Sequence, residues 1–362
     1  MADGDMIIDL DSVDFTVAET TLVTAGSMRA SVFKFRSGVK ALRIRNARGS
    51  ILLLPFHGQQ IWDAEFLGRT LTMKTMFDEP TDTANYLDNY GAFFLHCGMT
   101  AMGNPGPGDT HPLHGEIPNA NFQTAQLIVG RDEDGPYMAL TGGYEHRMSF
   151  TWHYLAAPLV KLRANDTFVD LSLTVRNLFH RPMSLMYLAH INFRPADGGT
   201  LIDAVPNDPK SIRLRTTLPD IFKPSQAFTD MIAEMSADIS QHRRIVKGRA
   251  IDPELVMGMD FAADDAGEAH TLMQHADGSG DFVTHRPSEL PRAVRWMTRT
   301  ADQDAIGIVL PATAEANGFT VENARGNVNF LEFGESWSCN MRFGALDAAG
   351  TKALKAKIAV RP

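Results

Sequence analysis

The sequence predicts a mainly β protein, and three features of its 362 residues carry that expectation. Short alternating or apolar runs, cut by Gly, Asn, Asp and Pro, recur along most of the chain, which is how successive strands read. Compact clusters of turn-forming residues separate those runs. One segment departs from the pattern, repeating its apolar residues at three- and four-residue steps.

Taken in order, "SVFKFRSG" (31–38) and "KALRIRNARGSILLLPF" (40–56) give the first strands, the second run being divided by the turn "NARG" (46–49). "GMTAMGNPGPGDTHPLHG" (98–115) is a long Gly/Pro-rich loop, and loops of this length inside a compact domain are usually functional or disordered. The turn "DEDG" (132–135) leads into the strand "PYMALTGGYEH" (136–146). Within "KLRANDTFVDLSLTVRNLF" (161–179), Val169, Leu171, Leu173 and Val175 alternate with Phe168, Asp170 and Ser172, giving a half-buried strand with one wet face. "SLMYLAHINF" (184–193) is a further strand. The departing segment, 225–242, places Phe228, Met231, Ile232, Met235 and Ile239 on one face behind the N-cap residue Ser225 and predicts an amphipathic helix. "HADGSGD" (275–281) is another hairpin turn, and "WSCNMRFGAL" (337–346) a late strand. No fixed-period repeat or low-complexity linker divides the chain, so residues 1–362 are expected to form a single domain.

Composition narrows the function. A hydrophobic fraction of 44% with 21% charged residues is that of an ordinary globular protein. The net charge of −9 argues against a nucleic-acid partner, which would require a basic face. Two cysteines, Cys97 and Cys339, make neither a disulfide framework nor a zinc motif, which suits a reducing compartment. With no secretory signal and no apolar run near the roughly 20 residues that span a bilayer, the expected location is the cytoplasm, without a membrane partner. Oligomeric state is not readable. "GMTAMG" (98–103) lacks the Lys and Ser/Thr of a phosphate loop; the "HGE" of 114–116 has no PCxxC partner; HExxH and GxSxG do not occur.

What remains is an ordered set of short motifs: "FFLHCGMTAMG", then "HPLHGEIPN", then "LTVRNLFHRPMSLMYLAHINFRP". This series resembles the aldose 1-epimerase (galactose mutarotase-like) superfamily, and "HCGMTAMG" with "LHGEIPN" is most similar to an uncharacterised aldose-epimerase-like branch of it. The resemblance runs over about residues 20–347, ending in "GNVNFLEFGESWSCNMRFGAL". It implies a large antiparallel β-supersandwich with few short helices and a sugar cleft on one concave face. It also implies a small-molecule sugar as partner and an acid/base reaction without a cofactor, in which the pyranose ring opens to the aldehyde and recloses on the other face.

Such a reaction suits imidazole, which titrates near neutral pH. By the resemblance His190 of "AHINF" matches the acid, and His114 of "LHGE" a second histidine that holds a sugar hydroxyl or ring oxygen. His96, Asn192, Arg69 and Asp260 are candidate sugar contacts; Asn192 projects from the same face of a strand as His190. The four tryptophans, Trp296 among them, carry no assigned role. The superfamily's basic glutamate has no counterpart, because Leu310 stands in its place in "GIVLPATAEANGF" (307–319). Glu315 in the same segment is the nearest replacement, and Glu116, also a candidate sugar contact, is another. Two alternatives follow from that gap. One is a metal-dependent sugar isomerase, epimerase or lyase, with His96, His114, His190 and Glu116 around a divalent ion. The other is a non-catalytic carbohydrate-binding protein.

Overall fold

Alternation of small steps along each strand decides the architecture. In Phe168–Asn177 the odd-numbered side chains Val169, Leu171, Leu173 and Val175 are buried while Thr174 and Arg176 are exposed, as a sheet with one wet face requires. In Met183–Ile191 all nine residues are buried, because this strand lies inside its sheet with both faces covered. The computed structural model describes residues 4–218 and 222–359.

Among these residues the strands assemble into two large antiparallel sheets, of nine and thirteen strands. The core lies between them, and ring contacts cross it: Phe343 of the nine-stranded sheet stacks on Phe94 of the larger one at 5.5 Å. The chain therefore has the mainly β supersandwich architecture that the sequence led us to expect. The hairpin turns fall where the sequence put them. At "NARG", Asn46 Oδ1 accepts from the backbone N–H groups of Arg48 (2.8 Å) and Gly49 (2.9 Å), closing the turn between Lys40–Arg45 and Gly49–Leu53.

The expected helix forms over Gln226–Ala237. Ser225 Oγ accepts from the N–H of Phe228 at 3.1 Å, and Phe228, Met231 and Met235 are buried. Two further α-helices, Phe319–Ala324 and Ala348–Ala359, were not anticipated individually. No helix among the described residues is long and apolar enough to cross a membrane.

The floor of the site is set by topology. In the larger sheet Ile251–Met259, Arg292–Arg299, Asp304–Ala312 and Met183–Ile191 are consecutive neighbours, with Phe94–Met99 beside the last. Residues distant in sequence are thereby laid side by side.

Candidate functional site

The long loop after Phe94–Met99 does not drift into solvent; it folds back on that strand. Gly98 N–H donates to His114 O (2.8 Å) and His114 N–H to Gly103 O (3.0 Å). A Cβ on Gly115 would lie 2.2 Å from Gly98 O and 2.4 Å from Ala101 O, so only glycine fits this crossing. His114 itself has φ 58°, an uncommon value for a non-glycine residue. The loop thus holds the His114 ring beside that of His190, with ring centres 5.7 Å apart, and against Tyr86 at 4.8 Å.

His190 comes from the centre of the floor. Its Nδ1 lies 2.7 Å from Asn192 Oδ1, and Asn192 Nδ2 is already committed to donating to Ala92 O at 2.9 Å. The amide orientation is fixed, so Oδ1 must accept and His190 Nδ1 must carry the hydrogen. Nε2 is left with its lone pair, 3.4 Å from the Tyr90 hydroxyl. Trp296, at 5.3 Å from His190 and 5.9 Å from Tyr90, closes the aromatic wall. Its Nε1–H donates to Glu254 Oε2 at 2.6 Å, and Glu254 also forms an ion pair with Arg215.

These groups line one cleft of about 480 Å³, a volume suited to a small ligand. Burial governs its electrostatics. It lowers the pKa of His190 to about 4 and that of His114 well below the ordinary imidazole value, with His190, Arg215 and His111 adding to the shift on His114. Both rings are therefore neutral at pH 7. Burial likewise raises Tyr86 and Tyr90, so their hydroxyls stay protonated.

The expected site residues divide sharply. His114 and His190 meet in the cleft, and Asn192 supports His190 from behind. Glu315 does not line the cleft: its carboxylate is taken up by Arg213 (2.6 Å) and Arg325 (3.2 Å). Glu116 likewise ties the loop down, accepting from Thr100 N–H (3.0 Å), Thr100 Oγ (3.2 Å) and Tyr154 Oη (2.9 Å). His96 points to the interior, its Nδ1 2.8 Å from Tyr187 Oη. Arg69 pairs with Asp281 at 2.6 Å, and Asp260 with Arg213 at 2.7 Å; neither lines the cleft. The four donors proposed for a metal do not converge, because His96 and Glu116 lie outside the cleft that holds His114 and His190.

Tyr86, Tyr90, Arg215 and Glu254 went unrecognised in the sequence, and Trp296 was seen without a role. The one visible signal was Glu254 itself, an acid opening the otherwise apolar run "ELVMGM". A second cavity, of about 580 Å³, lies on the nine-stranded sheet. Its charged groups neutralise one another: Arg163 and Arg342 both pair with Asp170, and Lys357 with Glu268 at 3.3 Å. Among the described residues, Asp264, Glu268 and His270 are the group of three metal-type donors with ligand atoms within 4.8 Å of one another, and Lys357 Nζ already stands 3.2 Å from Asp264.

A large two-sheet sandwich with an aromatic, histidine-bearing cleft on one sheet is the galactose mutarotase-like fold, and solved structures agree. A candidate aldose 1-epimerase from Klebsiella pneumoniae subsp. pneumoniae is 17% identical with a TM-score of 0.84, over 98% of this chain and 95% of that one. A galactose mutarotase-like protein from Clostridium acetobutylicum is 14% identical, with a TM-score of 0.58 over 88% and 98%. A candidate aldose 1-epimerase from Escherichia coli K12 is 14% identical, with a TM-score of 0.53 over 91% and 98%. No curated protein sequence matches. Residues 36–202 and 219–345 match the family described as a domain of unknown function (DUF4432), and the chain belongs to that family.

Proposed function

We propose that this protein is a carbohydrate isomerase of the aldose 1-epimerase type, acting in the cytoplasm as a single domain and interconverting sugar anomers in the His114/His190 cleft. The observation that carries the reading is the 2.7 Å contact of His190 Nδ1 with Asn192 Oδ1, from which the tautomer follows. With Nδ1–H held by Asn192, the neutral ring presents a proton-accepting Nε2 beside the Tyr90 hydroxyl. The resemblance implies an acid at this position; in the reading proposed here the neutral ring acts first as the base.

Nε2 takes the proton of the anomeric hydroxyl as the bond from C1 to the ring oxygen breaks, leaving the aldehyde. The imidazolium so formed gives that proton to the ring oxygen, so protons balance within the site. Tyr90 and His114 stabilise the charge that develops on the ring oxygen by hydrogen bonding. Rotation about the C1–C2 bond and the reverse transfer close the ring on the other face. Glu254, oriented by Arg215 and Trp296, binds sugar hydroxyls and is the half-buried carboxylate of the cleft, while the role of base expected of Glu315 or Glu116 falls to His190.

Proton NMR of freshly dissolved single anomers, followed with metal-stripped protein, tests this directly. Accelerated exchange that is abolished by His190→Ala in a folded protein is the expected result. Normal exchange in that variant sinks the assignment. Leu310 in the cleft wall favours one second reading, a carbohydrate-binding protein. Its signature would be a melting temperature raised by sugar without faster exchange.

A further inference from the structure

The cleft floor has two unlike halves. Along one side run Glu254, Trp296 and His190, the groups that hold or move protons. Along the other, Val256, Val294 and Leu188 line the same cleft from the same three strands, with Leu310 from the fourth, Asp304–Ala312. They form one patch, because Val294 and Leu310 are direct cross-strand partners, Leu188 lies opposite Ala312, two residues beyond Leu310, and Val256, opposite Trp296, stands diagonal to Val294, whose own partner is Gly258. None of these four side chains can donate or accept a hydrogen bond. The mouth repeats the theme: Met76, Leu87 and Phe222 line it and are 61%, 51% and 38% exposed, among the large apolar side chains that the described surface leaves open to water.

A fully hydroxylated sugar fits such a floor poorly. Once C1 and the ring oxygen face His190, a hydroxyl laid on the apolar half gives up its water and finds no partner. A methylene or methyl at that position gains from the same burial. We infer that the substrates of this cleft are deoxy sugars, with a deoxygenated carbon resting on the Val256, Val294, Leu310 and Leu188 patch. The inference rests on the sugar-cleft reading above. It also accounts for Leu310, which is part of a recognition surface and not simply a lost base.

Matched sugars differing by one hydroxyl test it: D-galactose against 2-deoxy-D-galactose and 6-deoxy-D-galactose, and the same three in the glucose series. Two readouts are taken on the full chain, the rise in melting temperature with sugar concentration, and anomer exchange by NMR. At least one deoxy sugar is expected to bind more tightly than its parent, by about 10- to 100-fold, the range in which an apolar pocket rejects an added hydroxyl. Val294→Thr, which changes shape little, and Leu310→Gln each place a polar group in the patch and should narrow that preference toward parity. Parent sugars that bind as tightly as both deoxy forms, or no thermal shift with any of the sugars, overturn the inference. The reaction is judged separately: tight deoxy-sugar binding without faster exchange upholds the substrate class and overturns the isomerase reading, whereas fast exchange of parent and deoxy sugars alike does the reverse.

Discussion

His190 and His96 sit on neighbouring strands, offset by a single residue, since Ala189 is the cross-strand partner of His96 and Leu95 that of His190. Both rings are buried, and burial lowers both pKa values, to about 4 for His190 and about 3 for His96. Yet they face opposite sides of the sheet. His190 meets Asn192, Tyr90 and Trp296 at the edge of a cleft; His96 meets Tyr187 and the edge of Phe94 in the core. In the function proposed above, the same side chain in the same degree of burial is a reactive group on one face and packing on the other. Facing, not burial, separates them.

The strongest way to break that contrast is to remove each ring in turn. His190→Ala should cost about 10²- to 10⁴-fold in anomer-exchange rate, the range for loss of a proton-transfer group, with a native circular-dichroism spectrum. His96→Ala should show the opposite pattern. It opens a core cavity and strands the Tyr187 hydroxyl, costing roughly 2–4 kcal/mol in urea unfolding, with exchange unaffected in the folded fraction. Equal loss of activity in both variants would erase the distinction.

Glu254→Gln is expected to act next most strongly. It keeps the shape of the side chain but removes the charge that Arg215 faces, and a hydrogen bond to a charged group is worth enough that kcat/KM should fall about 10- to 100-fold. Glu315→Gln, whose partners Arg213 and Arg325 lie outside the cleft, should leave kcat/KM unchanged.

The pH dependence sharpens the comparison further. If the neutral ring of His190 is the working form, kcat/KM is flat above about pH 5 and falls as pH drops through its pKa of about 4. A rate that climbs with acid would instead require a charged His190. Stability follows from the same shifts. Folded pKa values below the ordinary imidazole value mean that the unfolded chain binds more protons in mildly acidic solution, so stability is fully present above about pH 6.5 and is lost as pH falls toward 4. His96→Leu should remove its share of that acid loss without altering the rate profile, because its ring touches only the core.

Much of this was legible in the chain. Alternation along 168–177 and the turn residues of "NARG" are local signals, and the structure uses both locally. Ser225 and the apolar stripe behind it marked a helix for the same reason. His114 and His190 were legible only through the order of short motifs, since nothing in either residue's neighbourhood distinguishes it from His96. Arg215, Glu254 and Trp296 were opaque because their meeting depends on strand order: Val256 pairs with Trp296, while Leu214 pairs with Met257, so three separate segments must be laid edge to edge before the cleft wall exists. The helix Ala348–Ala359 is different. Its Ala- and Lys-rich sequence favours a helix, but its apolar stripe is too short to stand out beside so many strands.

The smallest expected effect concerns two arginines two residues apart. Arg213 and Arg215 flank the strand residue Leu214, and each meets an acid from the neighbouring strand or just beyond its end: Arg213 binds Asp260 through both terminal nitrogens (2.7 and 2.8 Å), and Arg215 binds Glu254. On paper the pairs look alike, and the Asp260 pair has the better-resolved fork. The difference is solvent. Asp260 is 46% exposed and its partner 35%, whereas Glu254 and Arg215 are 17% and 18% exposed at the cleft wall. Water screens the first pair, and Arg213 keeps Glu315 when Asp260 is neutralised. Asp260→Asn should therefore change stability by no more than about 0.5–1 kcal/mol and leave kcat/KM within about twofold of the wild type. A large loss of activity in that variant would mean that the functional surface extends past the cleft along the Arg213 side, and would move Asp260 back among the sugar contacts.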